Sequence, residues 1–83
     1  MPRFTIYSRP DCHLCHEMKA AVQRVLRGRT GIPLEEIDIS KDPALLDRYG
    51  LEIPVLIIDG KKVAKYRVTE AELTRMLDSR DDG

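Results

Sequence analysis

Two cysteines, Cys12 and Cys15, lie three positions apart near the beginning of this 83-residue chain, which contains no others. An apolar stretch with strand character precedes the pair, and apolar residues at helical spacing follow it. The first turn of a helix offers unpaired backbone N–H groups and the positive end of the helix dipole, and both stabilise a thiolate, the attacking form of cysteine. The pattern therefore predicts thiol–disulfide exchange, with Cys12 as the exposed nucleophile and Cys15, one turn into the helix, as the shielded resolving thiol.

The order of the apolar stretches predicts the architecture of the chain. The predicted elements are a strand at 3–7, helix 13–28, strand 34–39, a short helix between Asp42 and Gly50, strand 55–58, strand 62–67 and a helix from about residue 70. Strands joined through a helix run parallel, whereas the tight Asp59-Gly60 turn makes an antiparallel hairpin. The sequence thus predicts an α/β fold, βαβαββα, whose mixed four-stranded sheet is flanked by helices in one domain over residues 1–83.

The composition excludes several classes of function. Fourteen basic and fourteen acidic residues give a formal net charge of zero, whereas proteins that bind nucleic acid or membrane surfaces usually carry a basic excess. No apolar run reaches the length of a transmembrane helix, and the first residues lead into a strand rather than a signal peptide. We therefore expect a cytoplasmic protein, and in that compartment a CxxC pair is more often catalytic or metal-binding than structural.

The same cysteines fit other chemistry less well. The run Cys12-His13-Leu14-Cys15-His16 matches the C-x-x-C-H string of haem attachment, but that reaction requires export and a different structural context. A zinc site would have to draw on five consecutive residues, which can hardly form a closed tetrahedron, because the chain has no other Cys or His. A module that binds a metal or a cluster, and an interaction domain without turnover, are the classes of function that stay open.

Several motifs together resemble one family, the small bacterial glutaredoxin-like proteins of the thioredoxin fold. The run from Ile6 to Cys12 resembles its lead-in to the first cysteine, and Ile53-Pro54-Val55 resembles its cis-proline segment. Asp59-Gly60 matches its hairpin turn, and residues 42–50 are similar to the short helix of the bacterial members. The resemblance covers roughly residues 3–77, and the combination of motifs is more specific than any one of them.

The resemblance implies a function and assigns further residues. It implies a thioredoxin fold and a thiol–disulfide oxidoreductase without a bound cofactor or metal, monomeric, whose redox-active Cys12–Cys15 disulfide acts on protein or low-molecular-weight disulfides. Pro54 is expected to be cis and to pack against the cysteines, the Ile53 backbone to pair with substrate, and Arg9 to contact glutathione. Glutathione or a thioredoxin-reductase-type flavoenzyme is the implied electron donor. An iron–sulfur cluster bridged between two subunits is the family's alternative use of the same thiols.

Two departures from the family pattern bear on the chemistry. Members usually carry Pro-Tyr between the cysteines, where this chain has His13-Leu14. They also carry Gly-Gly and an acidic residue after the hairpin, which help to hold glutathione, whereas residues 64–69 here are Ala-Lys-Tyr-Arg-Val-Thr. We expect His13 to lower the pKa of the Cys12 thiol through its charge or a hydrogen bond, and the missing glycine pair leaves the choice of electron donor open.

Overall fold

Four strands and three α-helices follow one another in the predicted order over the residues that the computed structural model describes, 3–29 and 31–81. The elements are β1 (Phe4–Ser8), α1 (His13–Leu26), β2 (Leu34–Asp38), α2 (Pro43–Tyr49), β3 (Val55–Ile58), β4 (Lys61–Lys65) and α3 (Glu70–Asp81). A 3-10 turn over Ile39–Lys41 joins β2 to α2 and was not predicted. This order confirms the βαβαββα prediction.

The sheet has the strand order β2-β1-β3-β4. β1 pairs in parallel with β2 on one side and antiparallel with β3 on the other, and β3 pairs antiparallel with β4. The predicted mixed sheet is therefore correct. Because β1 is a central strand, the segment that leaves its carboxyl end, which carries Cys12, starts from a backbone fixed on both sides.

The core lies between one face of the sheet and the helices α1 and α3. β1 alternates buried and half-buried side chains, whereas all four side chains of β3 are buried, as its continuous apolar run predicts. The buried cluster between the sheet and the two helices consists of Phe4, Ile6, Met18, Ala21, Val22, Leu56, Ile58, Leu73 and Leu77. This packing fixes the axis of α1, and with it the position of the helix start at which the cysteines lie.

Four elements differ from the prediction by one or two residues. β1 runs over Phe4–Ser8 instead of 3–7. α1 ends at Leu26, two residues before the predicted end. β2 stops at Asp38, because the Asp38 carboxylate accepts a hydrogen bond from the Ser40 backbone N–H and turns the chain into the 3-10 segment. β4 runs over Lys61–Lys65 and ends before Tyr66, whose φ of 68° lies in the left-handed region and cannot continue a strand.

The start of α3 is held by a reciprocal pair of hydrogen bonds. The Glu72 backbone N–H donates to Thr69 Oγ1 at 3.1 Å, and the Thr69 backbone N–H donates to Glu72 Oε1 at 3.1 Å. This is the capping box predicted from the Thr-x-x-Glu spacing, and it satisfies donors that the first turn of the helix leaves unpaired.

Replacing Thr69 by alanine tests this cap. We expect Thr69→Ala to lower the free energy of unfolding by about 1 kcal/mol, because the side-chain acceptor for the Glu72 N–H is lost. Thr74→Ala is the matched control, since Thr74 is exposed within the same helix. Urea denaturation of both variants measures the difference, and equal stabilities would contradict the account of the cap.

Candidate active site

Cys12 and Cys15 form a disulfide at the beginning of α1, with their Cα atoms 5.2 Å apart. Cys12 is the N-cap residue of the helix, with an extended backbone, and its Sγ accepts a hydrogen bond from the Cys15 backbone N–H at 3.1 Å. Cys12 is partly exposed, whereas Cys15 is only 1% exposed. One sulfur is thus reachable from solvent and placed at the positive end of the helix, and the other is covered.

The loop before Cys12 is held by contacts to its backbone. The Cys12 N–H donates to the Arg9 carbonyl at 3.2 Å. His16 Nε2 lies 3.3 Å from the Pro10 carbonyl oxygen, to which it donates in the tautomer that carries the proton there. The sequence predicts His16 only as a surface residue, and although its ring is exposed it also connects the first turn of α1 to this loop. Sequence spacing carries no signal for a contact between a helical side chain and a preceding loop carbonyl.

The cis-proline segment lies beside the cysteine loop. The Ile53–Pro54 peptide bond is cis, as the resemblance implies. The β1–β3 register pairs Val55 with Tyr7, so that Pro54 comes next to the end of β1, a few residues before Cys12. Pro54 is buried, Ile53 is half-buried, and the Pro54 carbonyl accepts a hydrogen bond from the Tyr66 N–H at 2.8 Å. The fold therefore brings the two predicted segments to the same end of the sheet.

Arg9 lies at the rim of a shallow depression on the other side of this loop. It is exposed, and the depression is lined by Ser8, Arg9, Pro10, His16, Glu36 and Asp38. Hydrogen bonds from the Ser40 hydroxyl and backbone N–H lower the pKa of the Asp38 carboxyl below its ordinary value, and the charges of Lys41 and Arg9 act in the same direction. The Arg9 guanidinium is thus near enough to the Asp38 carboxylate for their opposite charges to interact.

His13 projects from the first turn of α1 into solvent. Its side chain is 86% exposed, and its Nε2 lies 3.4 Å from Glu17 Oε1, one helical turn further on. The imidazole therefore lies against the Glu17 carboxylate in this structure. The pKa-lowering role assigned to His13 stays a prediction.

A groove runs along α1 toward the start of α3. It begins at Leu14, between the two cysteines, and its opposite wall is the segment from Tyr66 to Thr69. Met18 and Ala21 contribute apolar surface to it, and Arg24 crosses from α1 to Glu70 of α3 with an Nε–Oε2 distance of 2.8 Å. The groove therefore combines apolar side chains with the charged Glu17, Arg24 and Arg67.

A partly buried polar contact at the end of β1 was not predicted. Ser8, 4% exposed, donates from Oγ to Glu36 Oε2 at 3.3 Å, and Lys19 Nζ lies 3.1 Å from Glu36 Oε1. These contacts connect the end of β1, the edge strand β2 and the second turn of α1. Side-chain alternation along β1 and β2 places Ser8 and Glu36 on one face, but only the observed register makes them neighbours.

A family model described as a glutaredoxin-like domain (DUF836) matches residues 3–78. The chain belongs to this glutaredoxin-like family. A glutaredoxin-like protein of Dictyostelium discoideum is 31% identical over 72 residues, which are 81% of this chain and 67% of that protein. The X-ray structure of a structural-genomics target from X. campestris is 32% identical, with a TM-score of 0.76, and the match covers 92% of this chain and 96% of that one.

The fold of this glutaredoxin-like domain is the thioredoxin fold. The crystal structure of a chloroplastic thioredoxin z superimposes with a TM-score of 0.81 over 100% of this chain and 80% of that one, at 14% identity. Within residues 3–29 and 31–81 no three His, Cys, Asp or Glu side chains come together as a metal-ligand group. The same described residues include no helix that is both long and apolar enough to cross a membrane.

The N-cap role of Cys12 can be separated from its redox role in reducing buffer. Serine is a good N-cap whereas alanine has no acceptor, so we expect Cys12→Ala to be less stable than Cys12→Ser by about 1 kcal/mol. Urea denaturation with excess dithiothreitol measures this difference. At the covered position the pair Cys15→Ala and Cys15→Ser is the control, where no advantage of serine is expected. The same order at both positions would contradict the capping role.

Proposed function

We propose that this glutaredoxin-like domain is a thiol–disulfide oxidoreductase that works through a dithiol cycle of Cys12 and Cys15. The observation that carries the proposal is the disulfide at the start of α1, with one partly exposed and one covered sulfur. Membership of the glutaredoxin-like family supports it. We assign Cys12 as the nucleophile, because its sulfur is both reachable and stabilised as an anion by the first turn of the helix.

Reduction of a substrate begins with both cysteines reduced. The Cys12 thiolate attacks one sulfur of the substrate disulfide, the S–S bond breaks, and the departing sulfur leaves as a thiolate that takes up a proton. The Cys15 thiol then loses its proton and attacks Cys12 Sγ in the mixed disulfide, which forms the Cys12–Cys15 bond and releases the second substrate thiolate. Two electrons have passed to the substrate, and the domain is left as the observed disulfide.

Substrate recognition is assigned to the two segments beside the cysteines. In this proposal an extended peptide pairs its backbone with that of Ile53, next to the cis Pro54, in the manner of an added strand. Arg9, exposed at the opposite side of the cysteine loop, supplies a cation for a carboxylate of the substrate or of glutathione.

The domain must regain two electrons after each turnover, from glutathione or from a thioredoxin-reductase-type flavoenzyme. The segment in which related proteins hold glutathione is occupied here by Tyr66 and Arg67, and Arg9 keeps the basic position of the family. Assays with glutathione plus glutathione reductase, and with thioredoxin reductase plus NADPH, identify the donor. We propose that this cycle takes place in the cytoplasm, with the domain acting as a monomer.

Single cysteine variants test the assignment of the two thiols. We expect Cys12→Ser to abolish disulfide reduction, and Cys15→Ser to accumulate a stable mixed disulfide with substrate, because the thiol that would resolve it is missing. Mass spectrometry of the trapped species after incubation with an oxidised protein substrate is the measurement.

The reverse result, with Cys12→Ser trapped and Cys15→Ser not, would exchange the two roles. Metal analysis of the purified wild-type protein is the accompanying control. Stoichiometric iron or zinc bound through both thiols would favour a metal-binding or cluster-binding module over the oxidoreductase.

The contribution of His13 is tested by a pair of variants with opposite expected shifts. His13→Gln removes the imidazole expected to stabilise the Cys12 thiolate, so the pKa of the thiol should rise by about 0.7 unit, the equivalent of one hydrogen bond of about 1 kcal/mol. The reduction potential should become more negative by about 20 mV. Glu17→Gln removes the neighbouring carboxylate and should lower the Cys12 pKa instead.

Thiolate absorbance against pH gives the pKa of Cys12 in each variant, and equilibration in glutathione buffers gives the potential. Unchanged values in His13→Gln would show that His13 is a solvated side chain without influence on the thiolate.

A further inference from the structure

Tyr66 has a backbone conformation that side chains rarely adopt. Its φ is 68°, and the only other non-glycine residue with positive φ among residues 3–29 and 31–81 is Asp59, which forms the hairpin turn with Gly60. A tyrosine is strained in this region of φ, where glycine is not. Such a residue persists when its surroundings stabilise it, and these residues cluster at functional sites. The contacts of Tyr66 therefore identify the interactions that stabilise its strained backbone.

Both polar groups of Tyr66 bind the loop that leads into the cis-proline segment. Its backbone N–H donates to the Pro54 carbonyl at 2.8 Å, and its phenol Oη donates to the Leu51 carbonyl at 3.2 Å. Tyr66, 44% exposed, lines the groove to which Leu14 also contributes. Tyr66 thus contacts the two ends of the 51–54 loop, Pro54 through its backbone and Leu51 through its side chain, and also lines the groove along α1.

The rest of the loop has few side-chain anchors of its own. Leu51 is 94% exposed, so burial of its side chain contributes nothing to the loop conformation. The Glu52 N–H donates to the Tyr49 carbonyl at 2.8 Å, and the Glu52 carboxylate lies 2.8 Å from Lys62 Nζ. The Leu51 carbonyl is therefore held by the phenol of Tyr66, the residue after β4, much as Glu52 is held by Lys62 of β4.

We propose that Tyr66 is a positioning residue that fixes the 51–54 loop in the shape in which the Ile53 backbone receives a peptide. This inference rests on the proposed thiol–disulfide exchange and adds to it a determinant of substrate class. Hydrogen bonds between backbones require the donor and acceptor groups of Ile53 to point outward from a fixed loop. A disulfide without a peptide backbone makes no such bonds, so its reaction with Cys12 is independent of the loop. Tyr66 thereby favours peptide and protein disulfides over small ones.

Two substitutions remove the side-chain contacts of Tyr66 in steps. Tyr66→Phe removes only the hydrogen bond to the Leu51 carbonyl, and Tyr66→Gly removes the ring as well while relieving the backbone. Tyr49→Phe is the matched control, since it deletes a phenol whose ring packs on Tyr7, with centroids 4.9 Å apart, beside the same loop. All three variants keep both cysteines and His13.

The measurement is the second-order rate constant of each pre-reduced protein with insulin and with 5,5′-dithiobis(2-nitrobenzoate). We expect Tyr66→Phe to react about fivefold more slowly with insulin, the factor that one lost hydrogen bond accounts for. Tyr66→Gly should react with insulin at least as slowly as Tyr66→Phe. The rate with the small disulfide, and the Cys12 pKa, should stay at the wild-type values. Tyr49→Phe should match the wild type with both substrates.

Amide hydrogen exchange provides a readout that does not depend on turnover. Exchange at Glu52, whose N–H donates to the Tyr49 carbonyl, should be faster in Tyr66→Phe than in Tyr49→Phe, because the loop opens more often once the Leu51 carbonyl is released.

Three results would overturn the positioning role: an unchanged insulin rate in both Tyr66 variants, equal losses with both substrates, or unchanged exchange in the loop. A wild-type protein that reduces neither substrate would instead refute the proposed oxidoreductase, and this inference with it. A wild-type protein active on both, with Tyr66 variants equally active on insulin, would refute the inference alone.

Discussion

The hydrogen bond from the Cys15 backbone N–H to Cys12 Sγ is the interaction on which the site depends. It exists because Cys12 is the N-cap of α1, where a side-chain acceptor meets donors that the helix leaves unpaired. A sulfur in this position gains most when it carries a negative charge, since the helix dipole and the N–H groups both favour an anion. The same geometry that starts the helix therefore also supports the role of nucleophile proposed for Cys12.

The remainder of the fold keeps this helix start fixed in relation to the segments that are proposed to bind substrate. β1 is anchored by strands on both sides, and Met18 and Val22 pack α1 against it in the core. The contacts of Glu36 with Ser8 and Lys19 join the edge strand β2 to the end of β1 and to α1. The β1–β3 pairing then sets the cis-proline segment at the same end of the sheet. For the proposed thiol–disulfide exchange, a fixed position of the helix start matters more than a larger free energy of unfolding, because the reacting sulfur atoms must be aligned.

The features that were predictable from the sequence are those encoded over short distances. The cysteine spacing, the Thr69–Glu72 capping box and the buried run of β3 each depend on residues within one element, and the structure has all three. The Ser8–Glu36 hydrogen bond spans 28 positions and depends on strand register, so periodicity could not reveal it. β4 ends two residues before its predicted end because Tyr66 has a positive φ and is bound to carbonyl groups of a different loop. The cis form of Pro54 came from the family resemblance, since an X-Pro bond alone favours trans.

The central claim is that the first turn of α1 makes Cys12 a stabilised thiolate, and the pKa of Cys12 in the reduced protein tests it most directly. Thiolate absorbance against pH in the Cys15→Ser variant reports Cys12 alone, since the chain has no further cysteine. The account predicts a pKa of roughly 4–7, well below the value of about 8.5 for a free thiol. A Cys12 pKa at or above about 8.5 would contradict it, because the helix start would then give the sulfur no stabilisation as an anion.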